Sequence, residues 1–213
     1  TQGRNDLADQ MAETAFKQPA NAQQRIDGLD ERVRIGEMLL NRGLIDWGRR
    51  ELQAVIEEQP ILSEMGIAAR GYLFDSLVDR EEYAQPAELM DVLNSKVNES
   101  AINRRAFQTL LQQTDHWEVK RAQTFRNREA YARACAAREK GEFADEIKHL
   151  EAALAADPTD ADAIIALYRS QSSTPEMREK TLKLIDDLSR VFQQQIEEDP
   201  ATPTNYNQWA WLI

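Results

Sequence analysis

Cys135, His116 and His149 are the residues best suited to nucleophilic or metal-binding chemistry, because this 213-residue chain holds one cysteine and two histidines. A cysteine nucleophile requires a neighbouring base that lowers the pKa of its thiol, and a zinc site requires three or four ligands. The histidines are 33 residues apart and form no HExxH arrangement. The spacing therefore predicts no catalytic residue, no metal site and no cofactor.

Paired acidic residues could serve in acid–base catalysis, but their spacing places them on different faces of a helix. Adjacent helical residues point about 100° apart, so their carboxylates do not converge on one substrate. The sequence has no GxxxxGK[ST] phosphate loop and no dinucleotide-binding fingerprint. We therefore predict that the chain is not an enzyme. The acidic pairs are Glu57-Glu58, Glu81-Glu82, Asp186-Asp187 and Glu197-Glu198.

The segment from residue 104 to residue 138 is strongly basic. It holds eight basic and three acidic residues, a local balance of +5 in a chain whose net charge is −11. Its arginines either pair with acidic neighbours inside the fold or form a cationic strip for an acidic partner or another anionic polymer. Nucleic acid is disfavoured, because few aromatic residues, such as Trp117, Phe125 and Tyr131, interleave with the basic ones.

The composition favours a helical protein. With 8 Gly and 7 Pro, the chain has few of the turn residues that an all-β fold requires, and its single cysteine excludes an internal disulfide. No apolar run approaches the ~20 residues that span a bilayer. The chain begins at Thr1 rather than Met, which allows a cleaved signal peptide or a trimmed sequence, so its localisation stays open.

Residues 127–160 show the clearest structural pattern, a pair of helices joined by a turn. Small residues recur at helical spacing before a glycine, and an apolar series at similar spacing follows it and ends at Asp157-Pro158. The small residues are Ala130, Ala134 and Ala137, the break is Gly141, and Phe143, Ile147, Leu150, Ala153 and Leu154 follow.

This pattern resembles the tetratricopeptide repeat, a 34-residue helical hairpin. Counted from Asn127, Ala134 takes the small position 8 of that family, Gly141 the turn and Pro158 the terminal proline. Glu146 departs from the pattern, since the family has a small residue at position 20. The chain is similar to a divergent, bacterial-type member of this family.

Residues 29–60 fit the same template independently. Gly36 takes the small position 8, Gly43 the turn, Gly48 the small position 20 and Pro60 the terminal proline. Apolar spacing predicts a divergent repeat with a first helix at 62–79 and a second helix that begins at Tyr83. The resemblance extends more weakly to 161–200, and residues 203–213 match a half repeat. We predict a polar segment or short helix at 1–21 and a repeat array from 22 to 213.

The resemblance implies an all-α fold, a right-handed α-solenoid of stacked antiparallel helix pairs with a concave groove. It also implies a non-catalytic scaffold that binds a protein or peptide in that groove; the helical accessory domain of an enzyme stays an alternative. Family positions assign five groove residues in the best repeat: Arg128, Tyr131, Cys135, Arg138 and Glu139.

The C-terminal residues form a strongly apolar half repeat. We expect Trp209 to pack partly on the preceding helix, near Phe192 and Ile196. A bare apolar face rarely persists on a stable monomer. The remaining surface around Trp209 and Trp211 therefore predicts either self-association or further repeats beyond Ile213.

Overall fold

The computed structural model describes the backbone of residues 22–212 and the side chains of 28–116, 118–122, 124–203, 206, 207, 209 and 210. The predicted polar segment or short helix at 1–21 lies outside this range. The described residues form helices and connecting turns without a strand, which confirms the all-α prediction. The helices are α1 Ala22–Asn41, α2 Ile45–Glu58, α3 Glu64–Val78, α4 Ala84–Asn98, α5 Ala101–Gln113, α6 Trp117–Lys120, α7 Phe125–Glu139, α8 Phe143–Ala156, α9 Ala161–Arg169, α10 Pro175–Glu198 and α11 Pro203–Leu212.

The helices pack in adjacent pairs. The pairs are α1 with α2, α3 with α4, α7 with α8 and α9 with α10, and the second helix of each of the first three pairs contacts the first helix of the next. Each pair buries apolar side chains that a single amphipathic helix would leave exposed to water, which is why consecutive helices fold onto one another.

Three of these pairs turn in the same way, through a Schellman motif at the end of the first helix. Gly43 N–H donates to the Leu40 carbonyl and Leu44 N–H to the Leu39 carbonyl, both at 2.9 Å. The same two bonds recur after α3 at Glu81 and Glu82 and after α7 at Gly141 and Glu142. The motif needs a left-handed residue, and φ is 75° at Gly43, 62° at Glu81 and 76° at Gly141.

Small residues allow the paired helices to approach closely, as the sequence predicts. A Cβ atom at Gly36 would lie 2.8 Å from Leu52 Cγ, and one at Gly48 would lie 2.9 Å from the Gly36 carbonyl oxygen. Ala134 and Ala153 are 1% and 0% exposed and belong to one apolar cluster between α7 and α8. These four residues are therefore helix–helix contact points.

An insertion separates the second pair from the third. Helix α5 has no buried residue, whereas α6, a 3₁₀ turn at Arg121–Thr124 and α7 follow one another without a loop. A continuous helical segment therefore begins shortly after Asp115 and leads into the repeat at 127–160. Because α7 contacts α4, the insertion does not interrupt the packing of one pair on the next.

Helix α11 packs on α10, as predicted for the C-terminal segment. The indole N–H of Trp209 donates to Ser189 Oγ at 2.9 Å. The side chain of Trp211 lies outside the described set, so the prediction of self-association stays a prediction.

Candidate functional site

The five residues predicted to line a groove all lie on α7, and the structure exposes only part of that set. Arg138 and Glu139 are exposed and Tyr131 is half-buried. Arg128 is 8% exposed and Cys135 is 1% exposed. Neither of the last two side chains is available as a surface contact, which corrects their assignment to the groove wall.

Arg128 is buried because it pairs with carboxylates from two other helices. Its guanidinium donates to Glu118 Oε1 at 3.2 Å and to the Asp75 carboxylate, and it lies 4.3 Å from the centroid of the Phe74 ring. Glu118 belongs to α6 and Asp75 to α3. The arginine therefore joins three helices, and loss of either carboxylate would leave a buried charge without full compensation.

Gly71 makes room for the Glu118 carboxylate on α3. A Cβ atom at position 71 would lie 2.0 Å from Glu118 Oε1. Glu118 is fully buried and also accepts a hydrogen bond from Arg121 Nη1 at 3.0 Å. Burial raises the pKa of Glu118, and this effect exceeds the opposing influence of Arg121 and Arg128.

Half of the basic residues in segment 104–138 form ion pairs within the chain, as the intramolecular alternative predicts. The other half has no carboxylate partner among the side chains that the structure describes. These residues are Arg104, Arg105, Arg126 and Arg138. The internal pairs are Lys120 with Asp115 at 3.6 Å, Arg121 with Glu118 at 3.0 Å, Arg128 with Glu118 at 3.2 Å, and Arg133 with Glu129 at 2.9 Å and Asp91 at 3.3 Å.

Two of these unpaired arginines converge on one residue at the end of α4. Arg104 Nη1 donates to the Asn98 carbonyl at 3.3 Å, and Arg126 Nη2 donates to Asn98 Oδ1 at 2.9 Å. Both side chains are exposed and come from different helices, α5 and α7. Two cationic side chains therefore lie together, and neither forms an ion pair with a described carboxylate.

Cys135 lies in surroundings that suppress its reactivity. Burial raises the pKa of its thiol to about 11, although Arg138 acts in the opposite direction. Neither His116 nor His149 is among the groups that shift this pKa. Neither imidazole therefore acts as the base that would activate this thiol.

The described residues contain no group of three or more His, Cys, Asp or Glu placed to hold a metal ion. Within the same part of the chain, no helix has both the length and the apolar character needed to cross a bilayer.

An open groove of about 270 Å³ lies between the first helices of the first two pairs, α1 and α3. Leu40, Ile45 and Tyr72 make up its apolar part. Glu37 on α1 and Asp79 at the end of α3 add carboxylates that have no ion pair among the described residues. The remaining lining residues are Asn41, Asp75, Ser76 and Arg80.

The groove lies at positions equivalent to those predicted on α7. Aligning the three Schellman turns places Glu37 and Asp75 at the position of Cys135. The same alignment places Asn41 and Asp79 at the position of Glu139. All four of these residues of α1 and α3 line the groove. The groove between α1 and α3 and the candidate residues on α7 therefore occupy equivalent helix positions, and on α7 the insertion buries one of them, Arg128, through Glu118.

A second open groove, of about 330 Å³, lies between α2, α3 and α4. Its Arg49 already donates to both Glu82 carboxylate oxygens, at 2.9 and 3.1 Å, and to the Ser76 carbonyl at 2.6 Å. Arg50 bonds Glu51 at 3.1 Å and lies 4.4 Å from the Trp47 ring centroid. Because these cations are already engaged, this groove offers a partner fewer unsatisfied groups than the groove between α1 and α3.

No protein-family model matches this sequence, and a comparison with curated proteins finds no significant match. The resemblance to tetratricopeptide repeats therefore depends on the residues of the chain itself and on its recurring helix pairs.

The sequence interpretation did not identify the Gly71–Glu118–Arg128 network or the groove between α1 and α3. A signal for the groove was present, because the positions assigned on α7 have counterparts at Glu37 and Asn41 in the repeat 29–60. No comparable signal pointed to the network, since Arg128 reaches residues 10 and 53 positions away.

Proposed function

We propose that this chain is a non-catalytic scaffold of the tetratricopeptide type, a right-handed α-solenoid that binds a peptide segment of a partner protein. The binding surface is formed by the first helices of successive pairs, α1, α3 and α7. Its members are the groove between α1 and α3 and the accessible residues of α7, namely Tyr131, Arg138 and Glu139.

The observation that supports this proposal most directly is the positional equivalence of the groove residues. Glu37 and Asp75 occupy one position of the repeat, Asn41 and Asp79 occupy another, and all four line the same groove. A repeated helix pair presents equivalent residues in a row, which suits an extended peptide better than a compact small molecule.

The surface of α7 supplies contact types that are common in protein interfaces. Tyr131 is half-buried, so its ring is held in place while one side remains accessible, and Arg138 is exposed without an ion-pair partner among the described residues. Tyrosine and arginine are enriched among residues that dominate binding energy. Burial raises the pKa of the Tyr83 phenol at the start of α4, and the charges of Arg138 and Glu139 have smaller effects on it.

Selection of peptides from a displayed random library tests the proposal. The full chain is the bait, and two variants place a bulky side chain on the proposed surface, Asn41→Trp and Glu139→Trp. Glu88→Trp on the exposed face of α4 is the matched control. We expect peptides that bind the wild type and the control but lose affinity for at least one blocking variant. Failure to select any peptide, or equal binding to all four proteins, would contradict the proposal.

A second candidate function is binding of an acidic partner by the surface around Asn98. The convergence of Arg104 and Arg126, without a carboxylate partner among the described side chains, favours it. A polyglutamate peptide provides the probe. Binding that weakens steeply with salt and is lost in an Arg104→Gln, Arg126→Gln variant would support this function. Arg34→Gln and Arg190→Gln are exposed controls on α1 and α10, where each arginine pairs with a nearby carboxylate.

A further inference from the structure

The groove between α1 and α3 combines an apolar floor with carboxylates on two sides. Glu37 is on α1 and Asp79 follows the last turn of α3, while Leu40, Ile45 and Tyr72 line the space between them. The volume of about 270 Å³ is roughly nine times the share of one liquid water molecule, about 30 Å³. The groove can therefore admit a whole side chain.

The other charged groups of the groove are already paired. Asp75 accepts from Arg121 at 3.1 Å and also pairs with Arg128, and Arg80 lies 3.4 Å from Glu82 Oε1. Glu37 and Asp79 have neither an ion pair nor a side-chain hydrogen bond among the described residues. Both carboxylates line the groove, and neither is held by an ion pair of its own within the described part of the chain.

This arrangement distinguishes between the side chains that could enter. A lysine or arginine can place its methylene stem against the apolar floor and its charged end beside the carboxylates. An apolar side chain would cover the carboxylates without replacing the water that they lose, and an acidic side chain would be repelled by them.

We propose that this groove binds a lysine or arginine side chain of a partner peptide, with Glu37 and Asp79 holding its charged end. The inference rests on the proposed peptide-binding function and specifies the chemistry of the residue that the groove selects. It assigns opposite charge preferences to two surfaces of one chain, since the arginines around Asn98 would attract acidic groups.

A pair of synthetic peptides tests the charge preference. Peptides selected on the full chain are remade with each lysine or arginine replaced by norleucine, which keeps the stem and removes the charge. We expect each replacement at the groove position to weaken binding about tenfold or more, the usual consequence of losing a hydrogen bond to a charged group. The Glu37→Gln, Asp79→Asn variant should bind the original peptide no better than wild type binds the norleucine form.

Two further variants sharpen the comparison. Glu88→Gln, Glu151→Gln removes the same number of charges from exposed positions outside the groove and should bind as the wild type does. Glu37→Lys, Asp79→Lys should invert the preference and select peptides with aspartate or glutamate. All four replaced positions in the neutral variants belong to helix surfaces or ends, and thermal unfolding of each variant verifies that the fold is intact.

The outcomes separate this inference from the proposed function. Selection of no peptide at all overturns both. Peptides that bind the groove equally well with norleucine, or that do not distinguish the Glu37→Gln, Asp79→Asn variant, overturn the inference and leave the scaffold function standing. A wild type that dimerises while this variant stays monomeric would assign the groove to a second copy of the chain and would likewise overturn it.

Discussion

At the scale of single residues, the clearest departure from local preference is Glu81. It occupies the left-handed position of a Schellman turn, with φ at 62°, where the two equivalent turns have Gly43 and Gly141. An L-residue pays roughly 1–2 kcal/mol in this conformation, because its Cβ atom crowds the following carbonyl oxygen. The turn after α3 is therefore held by its surroundings rather than by its own sequence.

Replacing Glu81 by glycine should stabilise the chain. The substitution relieves roughly 1–2 kcal/mol of backbone strain. Glycine also has more conformational freedom in the unfolded chain, which costs roughly 0.5–1 kcal/mol. We therefore expect the free energy of unfolding to rise by about 0.5–1 kcal/mol. Urea unfolding measures this difference. Gly43→Ala provides the reverse test and should destabilise the chain, and a less stable Glu81→Gly variant would show that the turn is not strained.

The thiol of Cys135 should be unreactive in the native protein. With a pKa of about 11, roughly one thiol in a thousand is ionised at pH 8, against about a quarter for an unperturbed cysteine with a pKa near 8.5. Ellman's reagent should react slowly with the native chain and fast in urea. Rapid native labelling would contradict the burial of this residue.

Because the pKa of the Cys135 thiol is higher in the folded chain than in the free thiol, the contribution of the neutral thiol to stability is complete at neutral pH. That contribution is lost as the pH rises toward 11.

At the scale of helices, the insertion between the second and third pairs is connected to the rest by polar contacts. The Glu118 side chain packs against α3 beside Gly71, and its Oε1 accepts a hydrogen bond from Arg128 of α7 at 3.2 Å. The apolar side chains of α5 give less support, since none of its residues is buried. Val119 of α6 is also fully buried in the apolar core, so the ion pairs of Glu118 add a directional contact to an apolar one.

Gly71→Ala should disrupt this docking. The added Cβ would lie 2.0 Å from Glu118 Oε1, so the carboxylate must move away from Arg128. We expect a loss of about 1–3 kcal/mol in the free energy of unfolding, typical of overpacking. Gly28→Ala on α1 is the matched control, because a Cβ there meets no atom within 4 Å. That change should be neutral or stabilising, as alanine favours helices over glycine. An equal effect of both substitutions would rule out the close contact at Gly71.

At the scale of the whole molecule, apolar side chains remain exposed near the C-terminal end of the described chain. Val191 of α10 is 46% exposed and Tyr206 of α11 is 43% exposed, although Trp209 packs on α10 through its bond to Ser189. Exposed apolar side chains that adjoin one another are often covered by another molecule, which predicts an interface at this end of the chain.

We therefore keep the prediction of self-association through this end of the chain. Sedimentation velocity should show a coefficient that rises with protein concentration, and Val191→Ser with Tyr206→Ser should abolish the rise. Val92→Ser on α4 removes a side chain of similar exposure, 49%, and should leave the behaviour unchanged. A concentration-independent coefficient for the wild type would contradict the prediction.

The helices and two of the three Schellman turns, those at Gly43 and Gly141, could be predicted from the sequence. Periodic apolar residues, Gly43, Gly141 and the prolines that follow the second helices act within a few residues of their own position, so their consequences can be predicted locally. The close approach of Gly36 and Gly48 was predictable for the same reason, since a hairpin brings neighbouring helices together.

The exposure of individual residues of α7, in contrast, depends on contacts between distant segments. Arg128 and Cys135 were assigned to groove positions of the repeat. Arg128 is covered by α6, whose Glu118 bonds it, and Cys135 is buried. Glu37 and Asp79 line one groove because α1 packs against α3. Such contacts join distant parts of the chain, and no periodicity within one segment specifies them, because they depend on how one pair docks on the next.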